Sequence, residues 1–207
     1  MNNKLNYLVI HCTATPEGRQ VTKDDIIRWH TNPIHLGGRG WNRPGYADIV
    51  ELDGDLVSII PFNTDDFVDQ WEISNGVVGL NGNSRHIVYA GGMDKENKSP
   101  KDTRTKEQFA TLEVYVKYTI KRHPKILVLG HNEAPNAHGK ACPSFNVGEW
   151  LRSIGVAETN IYHKQAVENL SAGLSARSET KEEVLAKAET EEVAATIVET
   201  NTTEAEA

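Results

Sequence analysis

Tyr7-Leu8-Val9-Ile10-His11-Cys12-Thr13 forms the core of a run over residues 5–13 that is rich in large apolar and β-branched side chains. The run stops at the turn Ala14-Thr15-Pro16-Glu17-Gly18. A short apolar stretch bounded by turn residues predicts a buried strand. This strand closes on a histidine and a cysteine, two residue types that bind metals. Neighbouring strand residues point to opposite faces. If His11 faces a site, Cys12 therefore faces away, into packing.

The segments that follow alternate between helix and strand. Thr22 and Asp25 resemble a capping box with Asp in place of Glu, predicting a short helix through Ile26-Ile27-Arg28-Trp29-His30 that Asn32-Pro33 halts. The glycine-rich loop Gly37-Gly38-Arg39-Gly40-Trp41 leads into a strand over residues 45–52. Asp53-Gly54 predicts a tight hairpin turn into residues 56–60. A polar, irregular stretch precedes a strand at residues 85–90, closed by Gly91-Gly92. Thr105 and Gln108 form a capping box for a long helix to about Arg122, whose apolar stripe is Phe109, Leu112, Val116 and Ile120. Pro124 breaks it, and residues 125–130 give another strand. A long loop carries His131 to Phe145, and Asn146 caps a last helix over residues 147–153 with Gly155 as its stop. The pattern is that of an α/β domain.

Charge divides the chain of 207 residues in two. From Ala157 onward there are 11 Glu and 4 Lys or Arg, which accounts for the whole net charge of −7 and leaves residues 1–156 neutral. A domain over 1–156 and an acidic Glu/Ala/Thr-rich tail over 157–207 are expected. The tail holds one aromatic, Tyr162, and the apolar face of a helix over residues 180–198 (Val184, Ala188, Ala195, Val198) is thin. Such a segment buries too little to offset its ordering entropy, so a disordered or marginally helical tail is expected, with contact to an unknown protein partner as the minor alternative. A neutral body lacks the positive field of a general nucleic-acid binder. No apolar run approaches the roughly 20 residues that span a bilayer, so membrane insertion is not expected. The start of the chain lacks a signal-peptide pattern, which predicts cytoplasmic synthesis. Cys12 and Cys142 allow one disulfide at most. A monomer is expected.

Eight histidines compete as metal ligands. His11 closes the first strand and His131 the last, with Cys142 eleven residues further on. If those strands neighbour each other, two imidazoles and a thiolate converge at one sheet edge as a three-ligand set for Zn²⁺, with a fourth position open. A fourth protein ligand would make the site structural instead. His138 is a rival ligand in a loop whose direction the sequence does not give. His30, His35 and His86 read as packing or surface residues, with substrate contact as the minority alternative. Lys140, two residues before Cys142, could offer charge to a developing oxyanion, and Tyr46 could hydrogen-bond a carbonyl or water; a solvated lysine and a plain strand tyrosine are the alternatives.

Taken together, these residues resemble a family. Val9-Ile10-His11-Cys12-Thr13-Ala14-Thr15 is similar to the opening ligand strand of the type-2 zinc-dependent N-acetylmuramoyl-L-alanine amidases, the superfamily of amidase-type phage lysozymes and peptidoglycan recognition proteins. Trp41 through Gly45-Tyr46 resembles its tyrosine strand. Gly130-His131-Asn132-Glu133-Ala134-Pro135 with Gly139-Lys140-Ala141-Cys142-Pro143-Ser144-Phe145 resembles its closing signature. The resemblance covers about residues 4–156. It implies a mixed central sheet flanked by helices, with zinc in a surface groove. It implies His11, His131 and Cys142 as ligands and Tyr46 and Lys140 as catalytic partners. The activity implied is hydrolysis of the amide between N-acetylmuramic acid and L-alanine in peptidoglycan, by an endolysin-like enzyme that reaches the cell wall after release.

Two regions depart from the family pattern. Ala47 and Asp48 follow the tyrosine where many relatives carry His and an aromatic, and residues 64–82 match poorly. By strand alternation Asp48 would share a face with Tyr46, which makes it, with His30 and His86, a candidate substrate contact; pairing with an Arg is the alternative. The rival function is a recognition module on the same fold without hydrolysis. Non-catalytic relatives typically lack the cysteine, and Cys142 is present here. Regulation of another protein through the tail is a second alternative. A bacterial effector or recycling enzyme also fits the sequence.

Overall fold

The computed structural model describes residues 3–137 and 139–164. Its strands are β1 (Asn3–Lys4), β2 (Tyr7–Cys12), β3 (Thr15–Pro16), β4 (Asp48–Val50), β5 (Leu56–Ser58), β6 (Phe67–Val68), β7 (Ser84–Tyr89), β8 (Gly92–Met93) and β9 (Leu127–Gly130). The α-helices are α1 (Lys23–Thr31), α2 (Lys106–Arg122) and α3 (Val147–Ser153).

Five strands form the central sheet in the order β5-β4-β7-β2-β9. β2 runs parallel to β7 and to β9, β4 runs parallel to β7, and β5 lies antiparallel on β4. This is the mixed sheet the resemblance implied. Parallel strands are normally covered on both faces, and Leu8, Val9 and Ile10 of β2 have no exposed surface. Leu8, Ile10, Ile87 and Tyr89 pack with Leu112 and Val116 of α2 and Trp150 and Leu151 of α3. On the other face Ile49, Val88 and Ala90 pack with Ile26 of α1. Burying each large apolar side chain contributes roughly 1.5–3 kcal/mol, so a one-residue slip of β2 is costly. The same packing therefore fixes which way His11 points.

The helix ends follow their capping residues. Thr22 and Asp25 close a reciprocal capping box on α1, Thr105 and Gln108 do so on α2, and the Asn146 side chain accepts from the Glu149 N–H at the start of α3. The strand expected over residues 45–52 is shorter, Asp48–Val50. The Ala47 carbonyl accepts from both Ile59 and Ile60 N–H, at 2.8 and 3.0 Å. Residues 59 and 60 thus oppose the single residue Ala47, a bulge on the side of the partner segment, and Tyr46 lies before the strand begins.

The compact unit ends at Tyr162, and described residues after Val156 pack against it. Asn160, Ile161 and Tyr162 are buried, Tyr162 N–H donates to the Val128 carbonyl at 3.0 Å, and Ile161 bridges Val128. Composition placed these residues with the acidic tail, but the open edge of β9 takes them up. The expected character of the rest of the tail, including a helix over residues 180–198, lies outside the described residues. Among the described residues no helix is long and apolar enough to cross a membrane.

Candidate active site

The pairing of β2 with β9 builds the site. Ile10 lies opposite Gly130, so the next residue on each strand, His11 and His131, emerges side by side. Their Nδ1 atoms are 3.1 Å apart. Cys142 arrives on the loop after β9, tied down where its carbonyl accepts from Asn132 N–H at 2.7 Å. Its Sγ accepts from the Cys12 backbone N–H at 3.3 Å and lies 3.8 Å from His11 Nδ1. One donor atom from each of His11, His131 and Cys142 falls within 4.8 Å of the others, a grouping that could hold a metal ion. Among the described residues no fourth His, Cys, Asp or Glu joins it.

Burial keeps this cluster electrically neutral. It lowers His131 from the ordinary 6.5 to about 4, with the Lys140 charge adding to the effect. His11 is driven well below its usual range, first by burial and then by the neighbouring His86, His131 and Lys140. The contact with Cys12, reinforced by burial, raises the Cys142 thiol. Both imidazoles therefore carry lone pairs at neutral pH, the state in which histidine binds a cation.

The cluster opens onto a groove. A cavity of about 620 Å³ is lined by His131 and Cys142 together with Tyr46, Lys140, His30 and Arg39. A smaller hollow of about 250 Å³ shares His30, Arg39, Tyr46, His131 and Lys140 and extends along Trp41 and Asn75. The Tyr46 ring lies 4.9 Å from that of His11, and burial pushes its phenol pKa upward, so it is a proton donor at neutral pH. His30 stacks on Trp41 at 4.9 Å, and its Nδ1 accepts from Gly45 N–H at 3.0 Å. Burial, with Arg39 nearby, lowers it to about 4. His30 thus borders the groove while its ring holds the turn before Tyr46.

Two of the three candidate substrate contacts, Asp48 and His86, lie away from the groove lining. Asp48 faces α2, not the groove. Its carboxylate takes Arg85 Nε and Nη2, each at 2.8 Å, and the Tyr115 hydroxyl. Tyr46 lies before the strand, which starts at Asp48, and the chain bends at Ala47 between them, so strand alternation does not carry over from Asp48 to Tyr46. His86 is fully buried, and its Nδ1 lies 3.0 Å from Nε2 of His11. It touches a ligand candidate from behind and does not reach the groove. Only the β2–β7 register, with Val9 opposite His86, reveals that neighbour. Cys12 packs with the core on the α2 side and also lines the cavity, where it meets Cys142. His138 lies outside the described residues.

Comparison with known proteins adds the family context. Residues 1–145 match the family described as N-acetylmuramoyl-L-alanine amidase. The endolysin of Enterobacteria phage T3 is 26% identical over 143 residues, covering 69% of this chain and 83% of its own. Among solved structures, the Ph2119 endolysin from Thermus scotoductus MAT2119 bacteriophage Ph2119 is similar with a TM-score of 0.54 at 22% identity, over 76% of this chain and 88% of that one. The ectodomain complex of peptidoglycan recognition proteins LCa and LCx, bound to tracheal cytotoxin, is similar with a TM-score of 0.53 at 16% identity, over 79% and 89%. At those identities the structural likeness speaks for the fold.

Proposed function

The chain belongs to the N-acetylmuramoyl-L-alanine amidase family, and from that premise we propose that His11, His131 and Cys142 hold the zinc ion of a peptidoglycan amidase. As a member of the family it is an N-acetylmuramoyl-L-alanine amidase, and its substrate is peptidoglycan. The observation that carries the metal reading is the convergence of the three donor atoms. Zn–N bonds of about 2.0–2.1 Å and a Zn–S bond of about 2.3 Å in a tetrahedron set the donors about 3.3–3.6 Å apart. The separations here are 3.1 Å between nitrogens and 3.8 Å from nitrogen to sulfur. Two of the three separations lie near those values and all three donor atoms lie within 4.8 Å of one another; a three-ligand set leaves a coordination position for chemistry.

When bound, zinc supplies Lewis acidity, polarising the scissile carbonyl and making water an effective nucleophile near neutral pH. The residues around it do the rest. Negative charge grows on the carbonyl oxygen as water adds, and the Lys140 ammonium lining the same cavity offsets it. Tyr46, with its phenol kept protonated by burial, hydrogen-bonds the attacking water or the carbonyl and helps the proton on its way. His30 and Trp41 support the turn that presents Tyr46. Recognition without hydrolysis would require none of these donors to meet.

We place the enzyme in an endolysin-like setting, made inside the cell and acting on the wall after release. Incubation with purified peptidoglycan should free peptides with new L-alanine amino termini. A chelator should stop that release and added zinc should restore it. Binding to the wall without release would favour the recognition module, and release unaffected by exhaustive chelation would remove zinc from the reaction.

A further inference from the structure

His86 is a buried nitrogen base that the hydrolytic chemistry does not use. Its Nδ1 lies 3.0 Å from Nε2 of His11, and both rings are fully buried. The opposite edge of His11 presents Nδ1 to His131 and Cys142. A neutral imidazole has one N–H and one lone pair. If His11 gives its Nδ1 lone pair to a cation, its proton sits on Nε2 and must be donated to His86. His86 then accepts through Nδ1 and carries its own proton on Nε2, a buried atom with no hydrogen-bond partner. In the opposite arrangement His86 would donate, and His11 would turn an N–H toward the other two ligands and repel a cation.

Room for this contact is made by Gly76. A Cβ there would clash with the His86 ring, at Nδ1 first. The Gly76 φ is outside the left-handed region, so an alanine would be excluded by the imidazole alone and not by the backbone.

We propose that His86 is a positioning residue for the cation site: by accepting the Nε2 proton of His11 it fixes the tautomer that aims the His11 Nδ1 lone pair at the metal. A ligand histidine commonly gives its second N–H to a carboxylate, carbonyl or water. Here a second imidazole takes that part. The proposal rests on the zinc reading given above.

The test measures the zinc dissociation constant of the full chain by competition with a chromophoric chelator. His86→Phe removes the acceptor and should weaken zinc binding by about 10–100-fold. His86→Asn can place Oδ1 where Nδ1 stood and should recover most of that loss. Gly76→Ala, which displaces the ring without altering it, should weaken binding in the same direction. Long-range nitrogen NMR on the metal-free wild type should find the His11 proton on Nε2. Wild-type zinc affinity in a folded His86→Phe protein, or a His11 proton on Nδ1, would overturn the proposal. Where His86→Phe does not fold, Gly76→Ala and the NMR tautomer decide. A wild type that binds no zinc would overturn the metal reading itself, whereas a zinc-binding wild type with indifferent variants would overturn only the part given to His86.

Discussion

Tyr46 and Asp48 are two positions apart, yet one borders the groove and the other is sealed against α2. The Asp48–Arg85 pair is buried, and breaking such a pair by removing one partner costs about 3–5 kcal/mol because the other charge is left unmatched. Asp48→Ala should therefore lower the denaturation midpoint strongly while activity per folded molecule stays near wild type. Lost turnover at unchanged stability would return Asp48 to the groove. Lys140 is exposed and should behave in reverse. Lys140→Ala should keep its fold and its zinc but lose about 100–1,000-fold in turnover, the usual effect of removing one oxyanion donor. Near-wild-type hydrolysis would exclude it from the reaction. His11 and His131 were legible because each sits at or just beyond a strand end, and Cys142 because it belongs to a recognisable motif in the loop after β9. For Asp48 the sequence left groove contact and pairing with an Arg both open, because where the strand starts relative to Tyr46 depends on tertiary pairing; the structure shows the pair with Arg85.

At the scale of elements, capping boxes are local and read directly. Thr22 with Asp25 and Thr105 with Gln108 each lie three positions apart, and both boxes form. Gln108 does more than cap. Its Nε2 reaches across to the Val50 carbonyl at 3.2 Å and the Ala90 carbonyl at 3.0 Å, fastening α2 to the ends of β4 and β7. Losing a cap costs about 1 kcal/mol, and stripping a buried carbonyl of its donor adds about 1–3 kcal/mol. Gln108→Ala should thus destabilise by about 2–4 kcal/mol in urea unfolding; a change below about 0.5 kcal/mol, the usual size for a surface site, would contradict that bridging part. Strand neighbours, unlike caps, are not local. The adjacency of β2 and β9 entered the sequence reading only as a condition, and the contact between His11 and His86 needs the β2–β7 register, which no single segment encodes.

Across the whole molecule, the buried histidines make folding pH-dependent. His30 and His131 are lowered to about 4 and His86 to about 3, from an ordinary 6.5, each chiefly by burial. Between about pH 6.5 and 4 the unfolded chain binds protons that the folded one refuses, so stability falls as pH falls. Each such histidine contributes a slope of up to about 1.4 kcal/mol per pH unit. The metal-free protein should lose stability steeply between pH 6.5 and 4.5, and His30→Gln should flatten part of that slope. A flat profile would mean that these rings protonate freely in the folded state. Charge balance located the acidic segment from sequence alone; that Ile161 and Tyr162 at its start pack on the body is a tertiary fact that composition does not carry.

Zinc-edge X-ray absorption on the zinc-loaded enzyme tests the metal assignment most directly. The spectrum should contain one sulfur at about 2.3 Å and two nitrogens at about 2.0–2.1 Å, with the sulfur lost in Cys142→Ser. A first shell without sulfur in the wild type would contradict the assignment of His11, His131 and Cys142 to one ion.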